Sequence, residues 1–135
     1  MRLIQRTILA IALVGVCAPA SAATVINAEE FYQRAIKVKK RGPFALLSMK
    51  EVKVLVNEVK VAGAKVKETR LAAERAGKKG RYCPPPETKR MGHEEYVAGI
   101  GAIPQAERKK IDLIEATTRM LAAKFPCPKP SKHAD

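Results

Sequence analysis

Apolar residues in the middle of the chain recur every three or four positions. Between residues 51 and 77 ("EVKVLVNEVKVAGAKVKETRLAAERAG") the recurring positions are Val52, Leu55, Val56, Val59, Gly63 and Val66. This spacing places them on one face of an α-helix. The density of valine leaves a β-strand as an alternative, because "VKV" alternates. Leu55 interrupts that alternation and Gly77 supplies a helix end, which favours the helix.

A helix-capping pattern precedes the first amphipathic segment. In "INAEEF", Asn27 occupies the N-cap position and Glu30 lies three residues later, as in a capping box. Ile26 and Phe31 have the spacing of a hydrophobic staple. We therefore expect helix one to run from Asn27 to about Lys40, where "RGP" ends it.

The same pattern recurs before the central helix. In "LSMKEV", Ser48 is the expected cap, Glu51 completes the box, and Leu47 and Val52 form the expected staple. The central helix should end near Gly77, since "AGKKGRYCPPPETKR" contains two glycines and three prolines. This stretch is the main predicted loop.

The last part of the chain predicts two more helices. Helix three should begin after Gly92 in "MGHEEYVAGIGAI", and its "GIG" should allow close helix packing. Helix four should run from Pro104 to Pro126. We expect its buried face to comprise Ile111, Ile114, Thr118, Leu121 and Phe125. The pattern therefore predicts an all-α fold, a small four-helix domain.

The N-terminal residues have the features of a secretory signal peptide. Arg2 and Arg6 precede an apolar run over residues 8–18, and the small residues of "PASAA" follow it. Cleavage is expected between Ala22 and Ala23. The domain boundaries are then 1–22 for the signal peptide and 23–135 for one domain, which we expect in the periplasm of a Gram-negative bacterium.

Two alternatives apply to this segment. A membrane anchor would need about 20 apolar residues, and this run is about half as long. A lipoprotein would be acylated at Cys17, but the preceding Val16 is bulkier than such processing usually accepts. Beyond residue 22 no apolar run is long enough to predict a membrane span in the mature form.

Cleavage leaves Cys83 and Cys127 as the two cysteines of the mature chain. In an oxidising compartment a disulfide between them is the expected state. A redox-active pair would normally be Cys-x-x-Cys, whereas these residues lie 44 positions apart beside prolines. A zinc site would need two further ligands, and the chain offers only His93 and His133 as histidines.

The net charge of the chain indicates which class of partner it could bind. The formal charge of +13 becomes +11 once Arg2 and Arg6 are removed. Export takes the chain away from nucleic acid, so an acidic envelope partner is favoured over DNA or RNA. Lys53, Lys60 and Lys67 form the expected basic face of helix two. A solvated surface without a partner is the alternative.

Catalytic and cofactor motifs are not apparent. His93, Glu94 and Glu95 are consecutive and would point in different directions around a helix. No histidine lies four residues from His93, and no serine lies in a nucleophile elbow. We therefore expect a binding protein without a cofactor or a metal, and not an enzyme.

Residues 81–127 combine an aromatic-Cys-x-Pro start, a short helix, a proline before the last amphipathic helix, and a Phe-Pro-Cys end. The residues of this pattern are Tyr82, Cys83, Pro85, Pro104, Leu121, Phe125, Pro126 and Cys127. With this pattern the segment resembles the C-terminal part of the Rap/Tai immunity proteins of type VI secretion. The first half departs from the family pattern, because residues 47–75 contain no cysteine.

The resemblance implies a helical periplasmic protein, often a homodimer, that binds a secreted cell-wall amidase and blocks its active site. It implies no catalytic activity for the chain itself. The leading hypothesis is therefore an immunity-type inhibitor of a cell-wall hydrolase. The alternative is a general envelope protein, such as a periplasmic holdase or a wall-associated factor.

Overall fold

The fold is all-α, as the sequence predicts. The computed structural model describes residues 25–88 and 90–129, which form five α-helices and one 3-10 segment. The helices are α1 (Ala28–Lys40), α2 (Met49–Arg75), α3 (His93–Gly101), α4 (Gln105–Arg108) and α5 (Leu113–Lys124), and the 3-10 segment is Gly42–Ser48. The predicted signal peptide with Cys17, its cleavage site between Ala22 and Ala23, and His133 lie outside the described residues.

Helix α1 begins at the predicted cap. The Asn27 side-chain oxygen accepts hydrogen bonds from the backbone N–H groups of Glu29 (2.9 Å) and Glu30 (3.4 Å). The same side chain donates through Nδ2 to the Ile111 carbonyl at 3.0 Å. Asn27 thus satisfies two amides that a helix start leaves without intrahelical partners, and it also ties α1 to a distant part of the chain.

The start of α2 differs from the predicted capping box. Ser48 makes no capping hydrogen bond, since its backbone (φ −111°, ψ 31°) is not in the extended conformation of an N-cap residue; its hydroxyl accepts a hydrogen bond from Arg41 instead. Arg41 also forms an ion pair with Glu51 at 3.0 Å, so the expected box residue is engaged elsewhere. Leu47 is 85% exposed and therefore cannot staple onto Val52. The helix still begins where the sequence predicts, one residue after Ser48.

The central segment is a single helix and not a strand. Helix α2 has 27 residues, which gives a length of about 40 Å. Its end is a Schellman motif: Lys78 N–H donates to the Ala73 carbonyl at 2.8 Å and Gly77 N–H donates to the Glu74 carbonyl at 3.0 Å. Gly77 has a φ of +69°, a conformation that glycine adopts without the steric cost of a Cβ.

The predicted fourth helix is two helices. Between α4 and α5 the chain bonds to the start of α1 and to the residues just before it. Ala28 N–H donates to the Ile111 carbonyl at 3.0 Å, and Leu113 N–H donates to the Ile26 carbonyl at 2.9 Å. Asp112 then caps α5 by accepting from Glu115 N–H at 2.8 Å. The predicted uninterrupted helix from Pro104 is therefore wrong.

This interruption changes which residues of α5 are buried. The buried positions are Leu113, Ala116, Thr117, Thr118 and Met120, and only Thr118 belongs to the predicted face. Ile111, Ile114, Leu121 and Phe125 are half-buried. A helix that restarts at a new cap has a new rotational phase, so the sequence periodicity from Pro104 does not apply to it.

The core lies where α1, α3 and α5 meet, and α2 packs against α5 and α1. Phe31 and Tyr96 form its aromatic centre, with ring centroids 5.9 Å apart in an edge-to-face arrangement. Gly99 permits the close packing expected of "GIG", because a Cβ there would lie only 2.5 Å from the Met120 side chain. Helix α3 can thus approach α5 closely at this point.

The disulfide between Cys83 and Cys127 is confirmed. Their Cα atoms are 4.8 Å apart, and the Cys83 N–H also donates to the Phe125 carbonyl at 2.9 Å. The bond joins the long loop after α2 to the residues that follow α5. It therefore closes a loop of the chain that contains α3, α4 and α5.

Candidate binding surfaces

An open apolar groove of about 720 Å³ lies between α2 and the surface formed by α1, α3 and α5. On the α2 side it is lined by Val52, Val56, Val59 and Gly63. These residues share a side of the helix next to the buried row of Leu55, Ala62 and Val66. The groove therefore results from an apolar stripe that is wider than the contact between α2 and α5.

Gly63 keeps the groove open. A Cβ built on this residue would meet no atom within 4 Å, so the space above its backbone is empty. The sequence places Gly63 correctly on the apolar face, but it does not reveal that the position faces a cavity. The position of Val56 on the predicted apolar face suggests that it is buried in the core; this is wrong, because Val56 is 47% exposed and lines the groove.

The floor of the groove contains polar atoms that are already hydrogen-bonded. The Tyr96 hydroxyl lies 2.5 Å from Thr117 Oγ1, and Thr117 Oγ1 donates to the Leu113 carbonyl at 2.6 Å. Since the Thr117 proton is directed to that carbonyl, Tyr96 is the donor in the first bond. Burial raises the pKa of Tyr96 to about 12, although the hydrogen bond with Thr117 opposes the shift. The floor thus suits an apolar group and offers no acid or base for neutral pH.

Charged side chains lie at the edge of the groove. Lys60 lines it from α2 and Lys39 lines it from α1, with His93 and Glu94 at the start of α3. Lys39 and Glu94 form a long ion pair of 3.8 Å between two exposed side chains. Such a pair contributes little free energy in water, so both groups are available to a ligand.

The predicted basic face is exposed, as expected for a partner-binding surface. Lys53, Lys60 and Lys67 all lie on the solvent side of α2. They are seven residues apart, which is close to two helical turns, so they form one row. Lys60 belongs both to this row and to the edge of the groove.

Large apolar side chains accompany this row. Val54 and Val61 are each 46% exposed on α2, and Phe44 is 69% exposed in the preceding 3-10 segment together with Leu47. We call the lysine row and these four apolar residues the outer face of α2. Exposed apolar side chains grouped beside charged ones are typical of protein-binding surfaces.

The titratable residues considered for catalysis are not arranged as a catalytic site. His93, Glu94 and Glu95 are all exposed. Glu94 pairs with Lys39, and Glu95 pairs with Lys124 of α5. These carboxylates at the start of α3 also complement the helix dipole. In residues 25–88 and 90–129 no group of three His, Cys, Asp or Glu side chains could hold a metal ion.

A buried ion pair that the sequence does not indicate connects α1 with α4. Arg108 Nε donates to Glu29 Oε2 at 2.6 Å, and Gln33 and Gln105 donate to Glu29 Oε1 at 2.7 and 2.9 Å. Burial raises the pKa of Glu29, but these hydrogen bonds outweigh burial and leave it below the ordinary value. The Arg108 guanidinium also lies over the Tyr32 ring, 4.2 Å from its centroid.

This arrangement is structural, because it has no open position for a reactant. Arg108 donates through Nη1 to the Gly101 carbonyl at 2.9 Å and also to the Ile103 carbonyl. Its hydrogen bonds thus join the end of α4 to α1, to the end of α3 and to the residues between α3 and α4. Glu29 and Arg108 are 79 positions apart, so no local motif could have paired them.

A second ion cluster holds the cysteine-containing loop to α5. Arg81 donates two hydrogen bonds to Glu115, at 2.5 and 3.0 Å, and Arg119 donates to the same carboxylate at 2.8 Å. The hydrogen bond from Arg81 is the main reason that the pKa of Glu115 falls to about 2, while burial opposes the change. Cys83 is therefore positioned by an ion pair two residues before it as well as by its disulfide.

Comparisons with known proteins add no relative to this description. A scan against protein-family models, a search of curated proteins and a search of solved structures each found no significant match to the chain. In the part of the chain that the structure describes, no helix is both long and apolar enough to cross a membrane.

Proposed function

We propose that the exported protein is a periplasmic protein-binding domain that inhibits a secreted cell-wall hydrolase of the amidase class. The outer face of α2 is the observation that carries this proposal. The resemblance of residues 81–127 to the Rap/Tai immunity proteins supplies the class of partner. The domain would act by occupying a surface of the hydrolase and would perform no chemistry itself.

The composition of the outer face of α2 supports protein binding. Leu47 and Phe44 are 85% and 69% exposed, although their transfer from water would be favourable. Val54 and Val61 extend the apolar surface along the helix, and the lysine row lies beside them. In protein interfaces the apolar centre supplies most of the affinity, while flanking charges accelerate association with an oppositely charged partner.

Export is the second element of the proposal. The N-terminal sequence favours a signal peptide, and a disulfide is compatible with an oxidising compartment. N-terminal sequencing of the protein from a periplasmic fraction should begin at Ala23. A start at an acylated Cys17 would show a lipoprotein, and an unprocessed N-terminus would contradict cleavage.

The test of function is protection against the toxic partner. A cell-wall amidase encoded beside this gene should be exported to the periplasm of a Gram-negative host with and without this protein. We expect lysis without the protein and growth with it, together with a complex that can be isolated from the periplasm. Equal lysis in both cultures with no complex would contradict the immunity function.

The groove favours a second candidate, a periplasmic holdase or wall-associated factor. An open apolar groove could bind unfolded segments of many proteins, whereas inhibition of one hydrolase needs one fitted surface. Suppression of aggregation of several unrelated unfolded proteins at equimolar ratios would support the holdase. Protection limited to one amidase would support the immunity protein.

A further inference from the structure

The groove has features of a ligand site, and it shares Lys60 with the outer face of α2. Its volume of about 720 Å³ is within the ~300–1,000 Å³ that small-molecule sites occupy. Val52, Val56 and Val59 form one wall, and Phe31 and Met120 lie opposite them. The polar atoms of the floor, on Tyr96 and Thr117, are engaged with each other and with a backbone carbonyl. An occupant of the interior would therefore be a hydrocarbon group.

The edge of the groove selects the charge of the occupant. Lys39 and Lys60 contribute two cations, whereas Glu94 contributes one carboxylate, and His93 is the fourth ionisable residue there. None of the ion pairs among the described residues involves Lys60. Lys39 contacts Glu94 only at 3.8 Å. An anionic head group near Lys60 would therefore gain an attraction that no carboxylate in these ion pairs already satisfies.

We propose that the groove binds a free single-chain amphiphile with an anionic head group, such as a long-chain carboxylate. Its hydrocarbon chain lies against the valines of α2, and its head group lies at the edge near Lys60. The side chains of the groove hold the ligand by burial and charge alone, and no covalent step is involved. This function goes beyond inhibition of a hydrolase and does not depend on it.

Gly63 provides a test in which loss of binding is separated from loss of folding. In Gly63→Leu the new side chain would enter the groove, and its Cβ would meet no atom within 4 Å. Leucine also has a higher helix propensity than glycine, so α2 should not be weakened. Ala64→Leu adds the same side chain one residue later, at an exposed position, and is the matched control.

The affinity is measured by isothermal titration calorimetry, with dodecanoate below its micellar concentration titrated into the disulfide-bonded protein recovered from the periplasm. We expect Gly63→Leu to lower the affinity at least about tenfold, because the leucine side chain takes space that the hydrocarbon chain needs. Ala64→Leu should change the affinity by less than about twofold. Val56→Phe, a second substitution that narrows the groove, should also lower the affinity. No binding of dodecanoate to the native protein, or equal binding by both leucine variants, would overturn the proposal.

The head group and the source of the ligand are tested separately. Lys60→Gln should weaken dodecanoate binding about threefold and leave the affinity of the uncharged dodecyl maltoside unchanged. Dodecyl trimethylammonium should bind more weakly than dodecanoate. The native protein and Gly63→Leu should also be tested for binding to vesicles of anionic phospholipid. If both bind the vesicles equally and the native protein does not bind monomeric dodecanoate, the protein is attracted to a membrane surface and the proposal is overturned. Dimerisation of the native protein that Gly63→Leu abolishes would show a second copy in the groove and would also overturn it.

Discussion

Removal of the disulfide should be the most damaging change that leaves every helix sequence intact. The perturbation is the double substitution Cys83→Ser and Cys127→Ser, which avoids a remaining free thiol. The bond joins the loop after α2 to the residues after α5. Among the described residues the loop is also held by the backbone bond from Cys83 to Phe125, by the donation from Lys79 Nζ to the Pro128 carbonyl, and by the ion pair between Arg81 and Glu115 of α5.

The size of the effect follows from the length of the closed loop. The cysteines are 44 positions apart, and the chain-entropy model gives about 4 kcal/mol for a loop of that length. The typical free energy of unfolding of a domain is about 5–15 kcal/mol, so the variant would lose a large part of its stability. For a domain of this size we expect the melting temperature to fall by about 10–20 °C.

Urea unfolding followed by far-ultraviolet circular dichroism measures this difference directly. The oxidised protein, the reduced protein and the double-serine variant should be compared at one pH and temperature. We expect the last two to have similar midpoints, both well below that of the oxidised protein. A loss of less than about 1 kcal/mol would refute the reasoning, because it would mean that the bond hardly restricts the unfolded chain.

Three further predictions concern the helices. Arg108→Met should cost about 3 kcal/mol in urea unfolding, because it leaves the buried Glu29 carboxylate without its cation; a loss under about 1 kcal/mol would contradict this. The depressed pKa of Glu115 means that its ion pairs stabilise the fold above about pH 5 and are lost as pH falls towards 2. Glu115→Gln should therefore reduce the loss of unfolding free energy between about pH 5 and pH 2 by about 1 kcal/mol. The effect is no larger because the Glu115 side chain is 31% exposed and water screens its ion pairs. Val66→Asp should prevent stable folding and Val56→Asp should not, since Val66 is buried and Val56 is 47% exposed; similar melting temperatures would refute this distinction.

The sequence predicts features that depend on neighbouring residues. The cap at Asn27, the glycine end of α2 at Gly77 and the start of α3 after Gly92 are all found where local patterns place them. The disulfide is also predictable, because only two cysteines lie beyond the expected cleavage site. In each case the physical cause lies within a few residues or in the composition.

Features that depend on distant residues could not be predicted in this way. The break before α5 exists because the chain at Ile111 bonds to residues beside Asn27, and Ser48, at the end of the 3-10 segment, accepts a hydrogen bond from Arg41 and does not cap α2. The groove lies between α2 and residues of α1, α3 and α5 that are distant in sequence, so the periodicity of α2 alone does not predict it. The sequence therefore identified the lysine row of the outer face of α2 but not the cavity beside Lys60.

The proposal that the outer face of α2 captures a cell-wall amidase is tested most directly by the rate of association of the two purified proteins. The variant carrying Lys53→Glu, Lys60→Glu and Lys67→Glu should be compared with one carrying Lys78→Glu, Lys109→Glu and Lys110→Glu, which has the same net charge and changes exposed lysines elsewhere. We predict that the first variant associates about tenfold more slowly than the native protein, with a weaker dependence on salt, and that the second is much less affected. Equal association rates for the two variants at every salt concentration would contradict a role for this face.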